Sequence, residues 1–313
     1  IFAESASVKF YSQTTEQSQM TTKEKQTFGR GPQFGPTSMV AEISNYHFNQ
    51  EVTGISAQLS NSFKTIFGHE HDLVYGFENE SIETQRPRSK LNIDAMSGVT
   101  TSIFGADRFP NKTFPDTEVK RIGIFINDRI NVTDRATLVM GLRYDSYDLE
   151  PTPDTLFNNS NVSRYDLANI DDSSVSSKVG IMYDLSDNIS AYMQYAEGFR
   201  SPDYESANLT FTNFAYYYSV APNPDLDSEE SSGFEMGLRG TIDSHQFSLA
   251  AYDTDYENFI DTAVTGATPQ GIVVYQYVNL NDAEIKGVEA SYQTTISDNL
   301  LLKFGANRTF GTS

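Results

Sequence analysis

The 313-residue chain has no cysteine and no tryptophan. Without cysteine, disulfide frameworks, thiolate metal sites and cysteine nucleophiles are all excluded. No stretch approaches the roughly 18 to 20 consecutive apolar residues of a membrane-spanning helix. A hydrophobic fraction of 38% and a mean hydropathy of -0.44 fit a polar composition. This excludes a helical membrane protein but not a β-barrel, whose strands show lipid only every second residue. Cations are scarce, with 22 Lys+Arg against 42 Asp+Glu and a formal charge of -20. That sign is wrong for neutralising phosphates, so no nucleic-acid partner is expected. Imidazoles are limited to His47, His69, His71 and His245. What is abundant is aromatic: 18 Tyr and 21 Phe, residues that favour strands. The chain opens at Ile1 without an initiator methionine or signal peptide and stops at Ser313 in a strand-like segment. It reads as an internal fragment, and the missing targeting segment says nothing about compartment.

The dominant pattern is alternation with a period of two. Ala136, Leu138, Met140, Leu142 and Tyr144 form an apolar face, opposed by Thr137, Val139, Gly141, Arg143 and Asp145. Ile122, Ile124 and Ile126 oppose Arg121, Gly123, Asn127 and Arg129, with Phe125 as the exception. The pattern recurs with Val179, Ile181, Tyr183 and Leu185, with Phe234, Met236 and Leu238, and with Leu300, Leu302, Phe304 and Ala306. Helical periodicity is almost absent.

Two kinds of connection alternate along the chain. Tight polar turns are expected at Gly68-His69-Glu70, Thr133-Asp134-Arg135, Ser186-Asp187-Asn188, Asp243-Ser244-His245 and Ser297-Asp298-Asn299. Long connections are expected at 86–116, 151–172, 201–228 and 264–271, and 273–296 reads as a single very long strand. Short turns at one end and long loops at the other are the asymmetry of an outer-membrane barrel. A soluble β-sandwich or solenoid also alternates, but its strands are shorter, commonly about five or six residues. The polar face here carries Gly, Ser, Gln and mixed charges, which suits a wet lumen. About eleven strands are counted, an odd number that does not close a bacterial single-chain barrel, so further strands are implied. The expected fold class is therefore all-β: an antiparallel transmembrane barrel, partial, with neighbours in sequence order. Ile122, Ile124, Leu138, Met140, Leu142, Leu300 and Leu302 should face lipid.

Five short motifs then appear in order. Tyr195-Ala196-Glu197-Gly198-Phe199-Arg200-Ser201-Pro202 ends one strand, and Asn223-Pro224-Asp225-Leu226 precedes the next, Gly233 to Arg239. Ala251-Tyr252-Asp253-Thr254-Asp255-Tyr256, Tyr277-Val278-Asn279 and Ile285-Lys286-Gly287-Val288-Glu289 follow. In this order they resemble the barrel motifs of TonB-dependent outer-membrane receptors, large barrels of about 22 strands filled by an N-terminal plug. Phe114 to Val119 and Met140 to Asp145 resemble the haem, haemoglobin and transferrin receptor branch. The resemblance is good from about Thr117 onward and rests on alternation alone in the first third. It implies that residues 1–313 are all barrel, with the plug, the TonB box and the remaining strands outside this chain. As barrel parts, Phe199 and Pro202 fit a strand leaving the membrane, where proline ends ladder pairing. Gly287 fits a close approach of backbone to a neighbour.

In the haem-uptake receptors this sequence resembles, a histidine in the loop between the first two motifs is an axial iron ligand. Residues 203–222 hold no histidine but offer Tyr204 and the run Tyr216-Tyr217-Tyr218, and tyrosinate can ligate haem iron. The plainer reading of these four is loop packing or an interfacial aromatic girdle. His69 and His71 bracket a predicted periplasmic turn and read as solvated rather than metal-binding; His245 lies in another turn and His47 in a polar strand. Asp253, Asp255 and Glu257 share a strand face, and Asp225, Asp227, Glu229 and Glu230 crowd a loop end. Calcium suits such oxygens, but a solvated acidic rim is the simpler account. No nucleophile elbow, phosphate loop or Ser/His/Asp arrangement is present, so no enzyme is expected.

The resemblance implies an outer-membrane receptor that imports an iron-bearing ligand, haem or a haemoprotein ahead of a ferric siderophore, with no built-in cofactor. Its expected partners are outer-membrane lipid, the ligand, and the TonB energy-transducing complex acting through the plug. A passive porin or a surface β-structural adhesin are the readings from other classes.

Overall fold

The computed structural model describes residues 3–27, 38–104, 107–161, 163–214, 216–280 and 282–312. Eleven long strands form one sheet: β1 (Ser5–Thr27), β2 (Ser38–Lys64), β3 (Glu70–Gln85), β4 (Asp116–Thr133), β5 (Ala136–Thr152), β6 (Ile170–Ser186), β7 (Ile189–Arg200), β8 (Glu229–Ile242), β9 (His245–Glu257), β10 (Ala283–Ser297) and β11 (Leu300–Thr312). A further strand, Pro87–Asp94, prolongs β3 along the same edge of β2. Every long strand pairs antiparallel with its neighbour in sequence, as the alternation requires.

Register fixes the faces, because directly opposed residues share one. One outward row runs His71, Ile130, Leu138, Ile181, Met193, Met236, Ala251, Val288. It starts one residue from the end of β3 and finishes nine residues from the end of β10. That stagger of eight residues over seven strand steps, at about 3.3 Å per residue and about 4.8 Å per strand, corresponds to a tilt of about 38°. Transmembrane barrels tilt their strands by about 35 to 45°. Ile122, Ile124, Met140, Leu142, Leu300 and Leu302 are all exposed on this outward face, and Leu138 lies in the same row.

The other face is polar and finely fitted. Arg143 is held by Glu78 at 3.0 Å and by Asp145 at 2.8 Å, and the Tyr11 hydroxyl donates to Glu80 at 3.2 Å. Phe125, the exception to the alternation, lies here with the Arg143 guanidinium over its ring at 6.0 Å. Tyrosine rings lie over opposed glycines: a Cβ at Gly287 would come 2.6 Å from the Tyr252 hydroxyl, and one at Gly237 would come 2.6 Å from the Tyr192 ring. A side chain in either place would force the ring away.

Three sequence expectations change. The segment 273–296 is not one strand: Val273–Asn279 pairs with Ile260–Ala267 in a separate loop sheet, and β10 begins at Ala283. Both halves alternate, so the pattern alone reads straight through the break. The first periplasmic turn is not a polar one at Gly68-His69-Glu70; it spans 65–69 and carries Ile66 and Phe67 at its tip. His71 is not solvated in that turn but lies on the outward face of β3. There its Nδ1 is 2.8 Å from the Asp128 carboxylate and its ring stacks on Phe63 at 4.9 Å.

The packed core does not lie midway along the strands. Val119, Tyr147, Leu149, Ala168, Ile170 and Ala207 form a cluster, joined by Ile82 and Tyr204, at the end of the sheet that carries the long connections. Phe114 and Phe157 are fully buried in the same layer.

Candidate functional site

The described long connections fold into one layer at the same end of the sheet, and each is bolted to another by side chains. The connection after β3 meets that after β5 through Lys112, whose ammonium donates to Asp116 at 2.6 Å and to Asp154 at 2.9 Å. Desolvation lowers the Lys112 pKa, but the two carboxylates outweigh it and hold the group above its ordinary value. Burial raises the Asp154 carboxyl, but Lys112 and the Phe157 amide outweigh this and hold it low. Asp154 also caps the short helix Thr155–Asn158 through that amide.

The connection after β7 starts with the helix Tyr204–Asn208, capped by the Asp203 carboxylate, which accepts from the Glu205 and Ser206 amides. Asn208 at its end is fully buried and pairs its side-chain amide with both backbone groups of Ala168, at 2.7 and 2.9 Å. Pro202 is buried just before the helix, and its carbonyl accepts from the Tyr147 hydroxyl at 2.9 Å. Arg200, at the end of β7, pairs with Glu229 at the start of β8, and the Ser201 and Ser228 hydroxyls sit beside them, 3.3 Å apart. Phe199 opposes Glu230 across the same two strands.

The motif residues read from the sequence fasten the connection after β7 to the one after β9. The Asn223 side chain donates to the Tyr277 carbonyl at 2.9 Å and accepts from the Asp225 amide at 3.1 Å, bending the chain around Pro224 and setting buried Leu226 beneath it. Asn279 accepts from the Asp227 amide at 2.8 Å and donates to the carbonyls of Asp227 and Asn258. A small sheet completes the join: Phe211–Asn213 pairs with Tyr218–Val220, which runs parallel to Val273–Asn279.

The four tyrosines singled out by the sequence occupy three different environments. Tyr204 packs on Phe114 at 4.8 Å, and burial, then Glu205 and Asp203, push its phenol pKa up. Tyr218 stands edge-on between Phe211 and Tyr275, at 5.7 and 6.1 Å. Tyr216 and Tyr217 lie at the tip of the Phe211–Val220 hairpin, 79% and 63% exposed. Tyr217 takes a φ of 56°, a backbone region that bulky side chains rarely adopt and that recurs at functional sites. Phe214, also exposed, adjoins them. Sequence reading did not single out Phe214 or Tyr275; their aromatic character beside the tyrosine run was the available signal. No group of three or more ligating side chains that could hold a metal ion occurs among the described residues. Asp253, Asp255 and Glu257 share the outward face of β9, with Asp253 opposite Lys286 and Asp255 opposite Glu284.

Comparison with known proteins agrees with this architecture. The chain is 31% identical over 126 residues, 38% of its length, to a hemoglobin and hemoglobin-haptoglobin-binding protein of Haemophilus influenzae, of which those residues span 12%. It is 25% identical over 234 residues, 71% of its length, to the ferripyoverdine receptor of Pseudomonas aeruginosa, spanning 25% of that protein. Its fold follows that of the Serratia marcescens hemophore receptor HasR, solved with its hemophore and heme, with a TM-score of 0.68 at 15% identity. That match covers 97% of this chain and 49% of the receptor. Residues 4–312 match the family described as TonB dependent receptor-like, beta-barrel. With its tilted antiparallel strands, outward apolar face and one-sided long loops, the chain thus belongs to the TonB-dependent receptor β-barrels of the Gram-negative outer membrane.

Proposed function

We propose that this chain is barrel wall and ligand-capture face of a receptor for active uptake of an iron-bearing ligand, with haem or a haemoprotein favoured over a ferric siderophore. The observation that carries the reading is the exposed aromatic tip, Phe214, Tyr216 and Tyr217, on an extracellular layer whose bolts hold it in place. Flat rings presented at low entropic cost suit capture of a planar macrocycle or a protein surface. Both ligand classes are named among the relatives, as hemoglobin-binding proteins and a ferripyoverdine receptor.

In this reading Tyr216 and Tyr217 touch the ligand, Tyr218 fixes the hairpin, and Tyr204 packs the helix that opens the same connection against Phe114. Captured ligand passes along the polar face of the sheet, with energy from the TonB complex acting through a plug domain. Chemical conversion of the ligand has no part in it. The test is haem titration of the full-length receptor and of a variant carrying Tyr216→Phe, Tyr217→Phe and Tyr218→Phe, which removes only the hydroxyls. Weaker binding with a changed absorption spectrum supports tyrosine ligation. Haem binding with an unaltered spectrum excludes it, and a parent receptor that binds a ferric siderophore but no haem moves the ligand to the second class.

A further inference from the structure

Four of the five short turns carry only polar or charged residues between their strands: Asp134 and Arg135, Asp187 and Asn188, Asp243 and Ser244, Asp298 and Asn299. The fifth, between β2 and β3, is different in length and chemistry. It is closed by the Thr65 amide donating to the His69 carbonyl and the Gly68 amide donating to the Thr65 carbonyl, both at 2.9 Å. Gly68 takes a φ of 88°, which a residue with a Cβ would resist. The turn is thus tightly made, yet it leaves Ile66 and Phe67 95% and 82% exposed.

Two large apolar side chains on an ordered turn are costly in water and favourable at a membrane surface. The turn adjoins the lipid-facing surface directly. Phe63, the last outward aromatic of β2, is exposed one residue pair above it, in the row that continues through Ile130 and Leu138. Its ring is held by stacking on His71, which Asp128 fixes from β4. Lys64 and Glu70, 3.6 Å apart and both solvent-exposed, flank the turn with opposite charges that suit a headgroup layer.

We propose that the β2–β3 turn is a membrane anchor, with Ile66 and Phe67 inserted into the phospholipid of the periplasmic leaflet as a continuation of the lipid-facing band. It pins one corner of the barrel at a fixed depth, while the four polar turns stay in the periplasm.

The test uses the full-length receptor reconstituted in phosphatidylethanolamine–phosphatidylglycerol vesicles, with a nitroxide attached after Phe67→Cys and, separately, after Asp134→Cys and Asp243→Cys. Collision with oxygen reports lipid, and collision with a water-soluble nickel chelate reports water. The expected result is an oxygen-to-nickel collision ratio several-fold higher at position 67 than at positions 134 and 243. A ratio at 67 equal to theirs would overturn the proposal. Shielding of 67 from both reagents would overturn it too, in favour of a protein partner. If the cysteine variant does not assemble, Phe67→Trp serves instead: acyl-chain-brominated lipids should quench the added fluorescence, and its persistence would sink the anchor.

Discussion

Along the strands, outward side chains such as Ile124, Leu142 and Leu302 are about half exposed, whereas Phe114, Phe157 and Leu149 in the loop layer are 1% exposed. Away from the end where β4, β5 and β6 enter the loop layer, the wall has no core of its own. Its apolar residues face lipid, and it is held by backbone ladders that pair each strand with its neighbours. The loop layer stands in water and must make a core, which it does by packing residues distant in sequence. Its long polar connections satisfy their buried backbone through side chains such as Asn208 and Asn279. A wall of this kind tolerates change in its loops, and a loop layer of this kind is rigid enough to present a surface.

The sharpest way to separate the two regions is Phe114→Ala, which removes a fully buried ring and should destabilise the loop layer by about 3 to 5 kcal/mol. Hydrogen exchange should show faster exchange across the layer and unchanged protection in β10 and β11; equal loss in both would show that they melt as one unit. On the wall, Met140→Arg should lower stability by about 2 to 4 kcal/mol when measured by reversible unfolding in lipid. Gly141→Ser, one residue away on the other face, should be milder, because its Cβ meets only side-chain atoms, Asn127 Oδ1 at 2.5 Å and Lys178 Cε and Cγ at 2.6 and 3.1 Å, which can move aside into the lumen. Equal tolerance of both would reverse the faces.

Smaller effects test the bolts. Asn279→Ala removes two hydrogen bonds between the connections after β7 and β9 and a third within the latter, and should cost about 1 to 3 kcal/mol. Protease cleavage within 203–222 should become faster; an unchanged rate would mean that the Asn223 clamp and the loop sheet suffice to join them. The Lys112–Asp154 bolt should respond to pH. Asp154 is held below its ordinary value, so its contribution is complete above the unfolded carboxyl pKa of about 3.9 and is lost as pH falls through the lowered value. Lys112 is held above its ordinary value, so its contribution is complete below about 10.4 and is lost as pH rises through the raised one. Protection of the 154–161 amides, relative to their intrinsic exchange rates at each pH, should therefore be greatest between these limits, and a flat protection profile would mean that the pair does not hold the loop.

Legibility differed between the two regions for a physical reason. Strand faces at Leu138, Met140 and Leu142 and four of the five turns followed from alternation and turn chemistry, because both are local. The turn at 65–69 is displaced from its expected place because Gly68 and His69 carry turn signals while Ile66 and Phe67 look like strand. Val273–Asn279 is indistinguishable from a membrane strand in the sequence because a loop hairpin alternates as a membrane strand does. The motif residues Asn223 and Asn279 were recognisable, but their role as a clamp between two loops was not, since the partners lie 54 and 52 residues away.

By itself, the sequence determined the strand count, the neighbour order, the lipid-facing residues and the family, all of which rest on period-two patterning and contiguous motifs. The tertiary structure alone decided which of the four tyrosines project from the loop layer and which pack within it. Tyr216 and Tyr217 project while Tyr204 and Tyr218 pack, because burial in the loop layer is set by contacts between connections far apart in the chain. Only three-dimensional closure brings those contacts together.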